Sequence, residues 1–475
     1  MAKSWFALVA VVCLLAGVSP AQLDSANQQL SRDIFQQLID INTTESVGNT
    51  TTAAQAMAKR LRDAGFPAKD VVVLGPDARH GNMVARYRGT GQHPPILMIG
   101  HLDVVEARRS DWTSDPFHFI EKDGYFYGRG TQDMKSDDAI WVADFIRLKR
   151  EGYTPDRDLI MALTSDEEGG PANGVDWLIK NHRDLINAEF VLNSDGGGVN
   201  TINGKPLFIS MDGSEKLYGD YQLKATNPGG HSSLPEPDNA IYHVTDALAR
   251  LQKFQFPFEL NAVTRGYFER MATIEHGQRA ADMKAILQTP PDQAAIARLS
   301  QDPVFNATMR TTCVATRLAG GHANNALPQT ATANVNCRIL PGHSREEVRQ
   351  QLIKVFDDPK VEVRYLANDG ATLSGRAPEK LGYAPVKLRP DVMQPLEKVA
   401  AQMWPGAPVI PTMSTGASDG VYTNAAGLPT FGISGTAIDM DDVRAHGKDE
   451  RLGVQSFYNG VQFYYLFLKA ITGGR

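Results

Sequence analysis

Cysteine is almost missing from this chain: there are three in 475 residues, Cys13, Cys313 and Cys337, and no two are close in sequence. A zinc site built from thiolates needs closely spaced pairs, so that chemistry is excluded. Long runs of lysine or arginine are also missing, and the formal net charge is -6. The electrostatic footprint that holds nucleic acid or an anionic membrane surface is therefore absent, which leaves a small molecule or a peptide as the expected partner. No internal repeat and no low-complexity tract is present, which sets aside solenoids and disordered arrays. The apolar run from Trp5 to Gly17 falls short of the roughly 20 residues of a membrane span.

That run has the marks of an export signal. Lys3 precedes it, and small residues at Ser19 and Ala21 follow it, placing a cleavage point before Gln22. Residues 1–21 are thus expected to be a signal peptide, and the mature chain a periplasmic or secreted protein with no stable membrane insertion; an uncleaved anchor is the alternative. Export would allow Cys313 and Cys337 to pair, but sequence spacing alone does not bring two Cα atoms within bridging distance.

The length calls for two domains, each with its own core. Leu30, Ile34, Leu38 and Ile41 recur at helical spacing, and a second helical pattern runs from Thr51 through Met57 and Leu61 to a stop at Gly65. Short apolar runs of strand length follow at 96–99, 159–163 and 190–192, with a helical stretch at 139–149 between the first two. Strands alternating with helices predict an α/β fold, a mostly parallel sheet with helices on both faces. From about Gly213 the pattern becomes that of a small α+β module: alternation at Tyr218, Tyr221, Leu223 and Ala225, a helix at 239–251, a strand at 331–340, a helix at 345–356 and a strand at 361–366. Helix and strand patterns resume beyond 382, ending in a helical tail from Val454 to Ala470. The expected organisation is a catalytic domain over 22–212 and 382–475, interrupted by an inserted lid domain over 213–381. The helical segment 254–312 reads as an elaboration of that lid.

Each of the three strand runs ends in chemistry-bearing residues: Gly100-His101-Leu102-Asp103, Ser165-Asp166-Glu167-Glu168-Gly169-Gly170, and Asn193-Ser194-Asp195-Gly196. In open α/β sheets ligands bind beyond the carboxyl ends of the strands, so all three runs would face one crevice. A pair of zinc ions takes imidazole and carboxylate ligands, with one carboxylate shared between metals about 3.5–4 Å apart. His101 is a candidate imidazole ligand, and Asp103 is placed to accept its other N–H. Asp133, just ahead of the 139–149 helix, is placed to bridge. Glu167 and Glu168 diverge, so that one can bind metal while the other acts as a base. Taken singly, a strand-end histidine is more often structural, Glu167-Glu168 an exposed turn, and Asp133 a helix N-cap. Their joint occurrence in this order favours the site.

With these runs the chain resembles the dizinc aminoacylase/carboxypeptidase family of glutamate carboxypeptidases, desuccinylases, carnosinases and aminoacylases. The resemblance rests on Gly100 to Val105, Trp112 to Phe117, Tyr127 to Lys135, Asp166 to Gly170, Asp195, Gly230-His231-Ser232-Ser233 and Ala445 to Glu450. It implies that Asp133 bridges two Zn2+ ions, or other divalent metals, one completed by His101 and Asp195 and the other by Glu168 and His446. Glu167 becomes the general base, and His231 a donor to the oxyanion from the lid. Asn325 and Arg338 fall where the family clamps the substrate carboxylate, a task suited to arginine, and Gly416 lies in a small-residue run, Gly416 to Gly420, that resembles the loop lining the cleft. The resemblance further implies a cis peptide between Asp133 and Met134, homodimerisation through the lid, and cleavage of a small peptide or an N-acyl amino acid at an amide next to a free carboxylate. Asp at 195, and the long stretch between His231 and Asn325, place the chain nearest the large carboxypeptidase and N-acyl-amino-acid hydrolase branch. A dipeptidase and a zinc-dependent binding protein without catalysis are the alternatives.

Overall fold

The computed structural model describes residues 23–367, 370–378, 383–384 and 386–474; the expected signal segment lies outside them. Two helices open the described chain. Ser25–Ile39 starts where the Asp24 carboxylate accepts the N–H of Asn27, and Thr50–Asp63 where the Asn49 side chain accepts the N–H of Thr52. Their apolar faces, Ile34, Phe35, Leu38 and Ile39 on one and Met57 and Leu61 on the other, are fully buried.

They cover a ten-stranded sheet. In spatial order its main path runs Val71–Leu74, Asn82–Tyr87, Leu159–Thr164, Ile96–His101, Phe190–Asn193, Thr430–Gly432, Lys205–Glu215, Gly198–Ile202 and Ala437–Asp439, with Val409–Ser414 paired to Lys205–Glu215. The central strands, from Leu159–Thr164 to Thr430–Gly432, are parallel, and antiparallel pairs flank them. The central runs are buried along their whole length, as expected for strands covered on both faces. Helix Lys135–Arg150 is buried on nearly every side, between the sheet, the first helix and the C-terminal helix Val454–Thr472. Its first residue, Lys135, is fully buried and donates its Nζ to the carbonyls of Leu38 (2.9 Å) and Ile41 (2.8 Å). Burial pushes this ammonium down to about 7, against the pull of Asp138 and Asp103.

The second, five-stranded sheet runs Thr312–Gly320, Thr330–Ile339, Leu217–Thr226, Glu362–Leu366 and Leu373–Ser374, all antiparallel. Helices Ala240–Lys253 and Arg345–Phe356 pack against it and against each other. Its edge strand Thr312–Gly320 is mostly exposed. Cys313 and Cys337 stand opposite each other on paired strands and form a disulfide with a Cα–Cα distance of 4.1 Å, which answers the question that spacing left open.

Two expectations need adjusting. Lys205–Glu215 still belongs to the central sheet and Leu217 opens the second one, so the chain crosses at the buried Lys216 rather than at 213; the expected return at 381–382 lies outside the described residues. The helices of the 254–312 segment, from Ala262–Ile274 to Pro303–Thr308, do not elaborate the lid core. Phe268, Met271, Met283, Ile296 and Phe305 form a separate apolar cluster that closes over Ile410, on Val409–Ser414 of the central sheet. That strand would otherwise present an apolar face to water, which is what draws the helices to it. No helix among the described residues is long and apolar enough to cross a membrane.

The close fit of Thr430–Gly432 beside the Asp195 loop is testable. A Cβ on Gly432 would lie 2.7 Å from Asp212 Cβ and 3.1 Å from the Gly196 backbone. Gly432→Ala is expected to cost about 1–3 kcal/mol through overpacking, read as a lower urea midpoint.

Candidate metal centre

Register turns strand ends into a site. His101 pairs with Thr164 and Ile99 with Asn193 in the parallel ladders, so the residues that follow each strand emerge side by side. This places His101, the Glu167-Glu168 turn and Asp195 around one crevice. The other two members arrive differently. In a small three-stranded sheet Tyr127 pairs with Arg451, so the run leaving Tyr127 towards Asp133 lies against the run that enters Arg451 from His446.

Asp133 sits between two imidazoles. Its Oδ1 is 3.1 Å from His101 Nε2 and its Oδ2 is 3.1 Å from His446 Nε2. Helix Lys135–Arg150 has Met134 at its N-cap position with no side-chain cap, so the Asp133 carboxylate is not spent on capping. The Asp133–Met134 peptide is cis. His446 Nε2 lies 2.9 Å from Glu168 Oε1. Two groups of potential ligand atoms, each within 4.8 Å of one another, share Asp133: His101, Asp133 and Asp195 in one, Asp133, Glu168 and His446 in the other; His101, Glu167 and Glu168 make a third, overlapping group.

The donor chemistry suits cations. Asp103, Asp133, Glu167, Glu168, Asp195 and Asp419 gather around only two imidazoles, and four of the six carboxyls are held high. Burial pushes Glu167 and Asp195 well above the carboxylate range; neighbouring carboxylates, Asp419 and Glu168 for the first and Asp133 and Glu167 for the second, add to it, and His101 opposes it in both. Burial likewise raises Asp103 and Asp419, each to about 6. His446 is raised to about 10 by its contacts to Asp133 and Glu168. A crevice so short of positive charge fits a pair of divalent ions.

The histidine tautomers follow from hydrogen bonds. His101, 1% exposed, has its Nδ1 3.0 Å from the backbone carbonyl of Asp103, which leaves Nε2 to face Asp133. This corrects the expected role of Asp103, whose carboxylate stays 3.7 Å from that ring. It accepts the backbone N–H groups of Glu167 (3.2 Å) and Glu168 (2.9 Å) instead. Two turn N–H groups have no strand partner, and an adjacent carboxylate satisfies both.

The lid residues divide. The short pairing of Gly230-His231 with Ala326-Leu327 brings His231 close to Asn325, and both are exposed. Ser233 lies against His231 Nδ1, with its Oγ at 2.7 Å and its backbone N at 3.2 Å. Arg338 lies on the lid sheet with its guanidinium 4.9 Å from the Tyr218 ring centroid. Among the described residues no hydrogen bond or ion pair joins His231, Asn325 or Arg338 to the metal-ligand cluster. Gly416 is half-buried, and its N–H is held by Ser414 Oγ at 3.1 Å.

Sequence reasoning missed Asp419 and Glu215. Asp419 accepts from Asn173 Nδ2 (2.5 Å) and Thr164 Oγ1 (3.3 Å), while Glu215, buried at the end of its strand, accepts the Ser418 N–H at 2.6 Å. The signal for Asp419 was an acidic residue standing alone among small ones, and for Glu215 a charge closing a strand.

The model of peptidase family M20/M25/M40 matches residues 97–470. The N-fatty-acyl-amino acid synthase/hydrolase of Xenopus tropicalis is 28% identical over 78% of this chain and 71% of its own length. A probable carboxypeptidase S-like 2 of Dictyostelium discoideum is 26% identical over 82% and 74%. Among solved structures, an M20 family metallo-carboxypeptidase from Sulfolobus solfataricus superposes with a TM-score of 0.67 at 16% identity, over 95% of this chain and 100% of that one.

If Asp103 orders the Glu167-Glu168 turn, Asp103→Ala should weaken metal binding or turnover by about 10–100-fold, as loss of an outer partner of a ligand does. Metal titration of the purified variant against the wild type checks this.

Proposed function

We propose that this chain, a metallo-hydrolase that belongs to peptidase family M20/M25/M40, cleaves an amide bond next to a free carboxylate, releasing a C-terminal residue or hydrolysing an N-acyl amino acid. The observation that carries the reading is the Asp133 carboxylate, whose two oxygens face two different imidazoles beside a second carboxylate, Glu167, that a shared bridge leaves over. Asp133 would be common to two zinc ions, with His101 and Asp195 on one and Glu168 and His446 on the other. When bound, such ions supply positive charge for the crowded carboxylates, acidify water and polarise a carbonyl.

The chain's own groups carry the remaining steps. Glu167, kept at its post by the turn that Asp103 orders, takes a proton from the attacking water and delivers it to the leaving nitrogen. His231, whose Nδ1 faces Ser233 and whose Nε2 points away from it, is the donor to the oxyanion. Arg338 and Asn325 receive the substrate carboxylate, and Gly416, where an added Cβ would approach only Ser414 Oγ at 3.4 Å, lines the cleft. Support for the substrate class comes from the names of the relatives, an N-fatty-acyl-amino acid hydrolase and a carboxypeptidase S-like protein, and from Arg338, which has no ion-pair partner among the described residues. His231 and Arg338 both lie on the lid, away from the ligands, so they reach the substrate when the lid approaches the crevice or from a second copy. The exposed edge strand Thr312–Gly320 offers the open backbone through which two lids would pair in a homodimer. Residues 1–21 direct export.

Glu167→Gln tests the assignment. It should keep both metals and lower kcat by at least about 10²–10⁴-fold, measured on a panel of dipeptides, longer peptides and N-acyl amino acids with and without chelator. Activity confined to dipeptides with free amino groups would favour the dipeptidase alternative, and retained zinc with no turnover by the wild type on any substrate would favour a binding protein.

A further inference from the structure

Asp133 and His446 come from opposite ends of the catalytic sequence, and the central sheet positions neither of them. What holds them is a side-chain clamp. Gln132 uses its whole amide: Oε1 accepts the backbone N–H groups of Arg444 (2.7 Å) and Ala445 (2.9 Å), while Nε2 donates to the carbonyls of Asp442 (3.3 Å) and Arg451 (2.8 Å). The two residues that precede His446 therefore hang on the side chain that precedes Asp133. Glu450 returns the grip. Its fully buried carboxylate accepts the N–H groups of Gln132 (2.6 Å) and Asp133 (3.2 Å) on one oxygen, and of Gly130 (3.2 Å) and the Arg129 guanidinium (2.5 Å) on the other. The second arm of Arg129 donates to the carbonyls of His446 (3.2 Å) and Gly447 (3.1 Å).

We propose that Gln132, with the Arg129–Glu450 pair behind it, is a positioning residue that sets cation affinity at the Asp133, Glu168 and His446 position without touching the cation. The proposal rests on the two-cation reading of the site. Two further observations support it. His446 has φ of 62°, a left-handed conformation that a histidine adopts rarely and that needs outside support. Its side chain is 54% exposed, so packing does not supply that support. The other position differs: His101 is buried and closes a strand locked in register, and Asp195 comes two residues after another. Asp133 is common to both, but only one position depends on His446, so loosening the clamp should act mainly on that one.

The test is zinc titration of chelator-stripped protein against a competing chromophoric chelator, with stoichiometry from elemental analysis. The wild type is expected to bind two zinc ions. In Gln132→Ala one of the two should bind about 10–100-fold less tightly, with the other affected much less, and activity lost at limiting zinc should return with excess zinc. Arg129→Lys keeps the charge facing Glu450 but lacks the second arm towards His446 and Gly447; it should weaken the same zinc and provides the test should Gln132→Ala not fold. Wild-type affinities in the variants, or an equal loss at both positions, would overturn the proposal and leave the two-cation reading intact. A wild type that binds fewer than two ions would overturn both.

Discussion

The crowding of negative charge in one crevice is the constraint on which the rest of the molecule turns. Six carboxylates converge where only two imidazoles oppose them, and burial removes the water that would otherwise screen their repulsion. Such an arrangement is unstable as a fold and useful as a site. Four of the six are held separately: Asp103 by two turn N–H groups, Asp419 by Asn173 and Thr164, Asp133 by two rings and Glu168 by His446. The protein supplies rigidity and leaves the charge balance to cations.

Two ways of fixing a candidate ligand coexist here. Parallel strands deliver His101 and Asp195 through register, where each position is set by a ladder of backbone bonds. Asp133 and His446 are delivered by loops, and loops acquire comparable definition only when side chains take over the role of the ladder. Gln132, Arg129 and Glu450 do so, and the stacking of Arg129 over Trp112, 5.1 Å from ring centroid to guanidinium, holds the pair from behind. The buried Arg129–Glu450 contact is thus better understood as a device for placement than as a source of net stability.

This division also explains what could be read in the sequence. The strand-borne residues were legible because an apolar run followed at once by acidic or imidazole groups means the same thing wherever a parallel sheet forms. The lid helices and strands were legible from their periodicity. The partner of Asp103 was not, because a backbone carbonyl and a carboxylate two residues past His101 compete for the same ring N–H, and only turn geometry decides between them. The 254–312 helices were misplaced because their apolar faces do not state which neighbour they cover, and Ile410, which they cover, lies far along the chain. Asp419 sat in a run noticed for its small residues, so its charge was passed over. His446 was found by resemblance alone, since no strand or helix pattern leads to it.

The position of Thr430–Gly432 in the middle of the large sheet bears on how the molecule assembles. That strand lies between Phe190–Asn193 and Lys205–Glu215, pairing with both, so a chain emerging from synthesis carries two unjoined halves of its sheet until Thr430–Gly432 appears. Contacts that span so much sequence are entropically slow to form. The gap leaves two unpaired strand edges, each open to the wrong neighbour. The same late strand precedes His446, so the part of the chain that closes the sheet also brings the last member of the proposed ligand set.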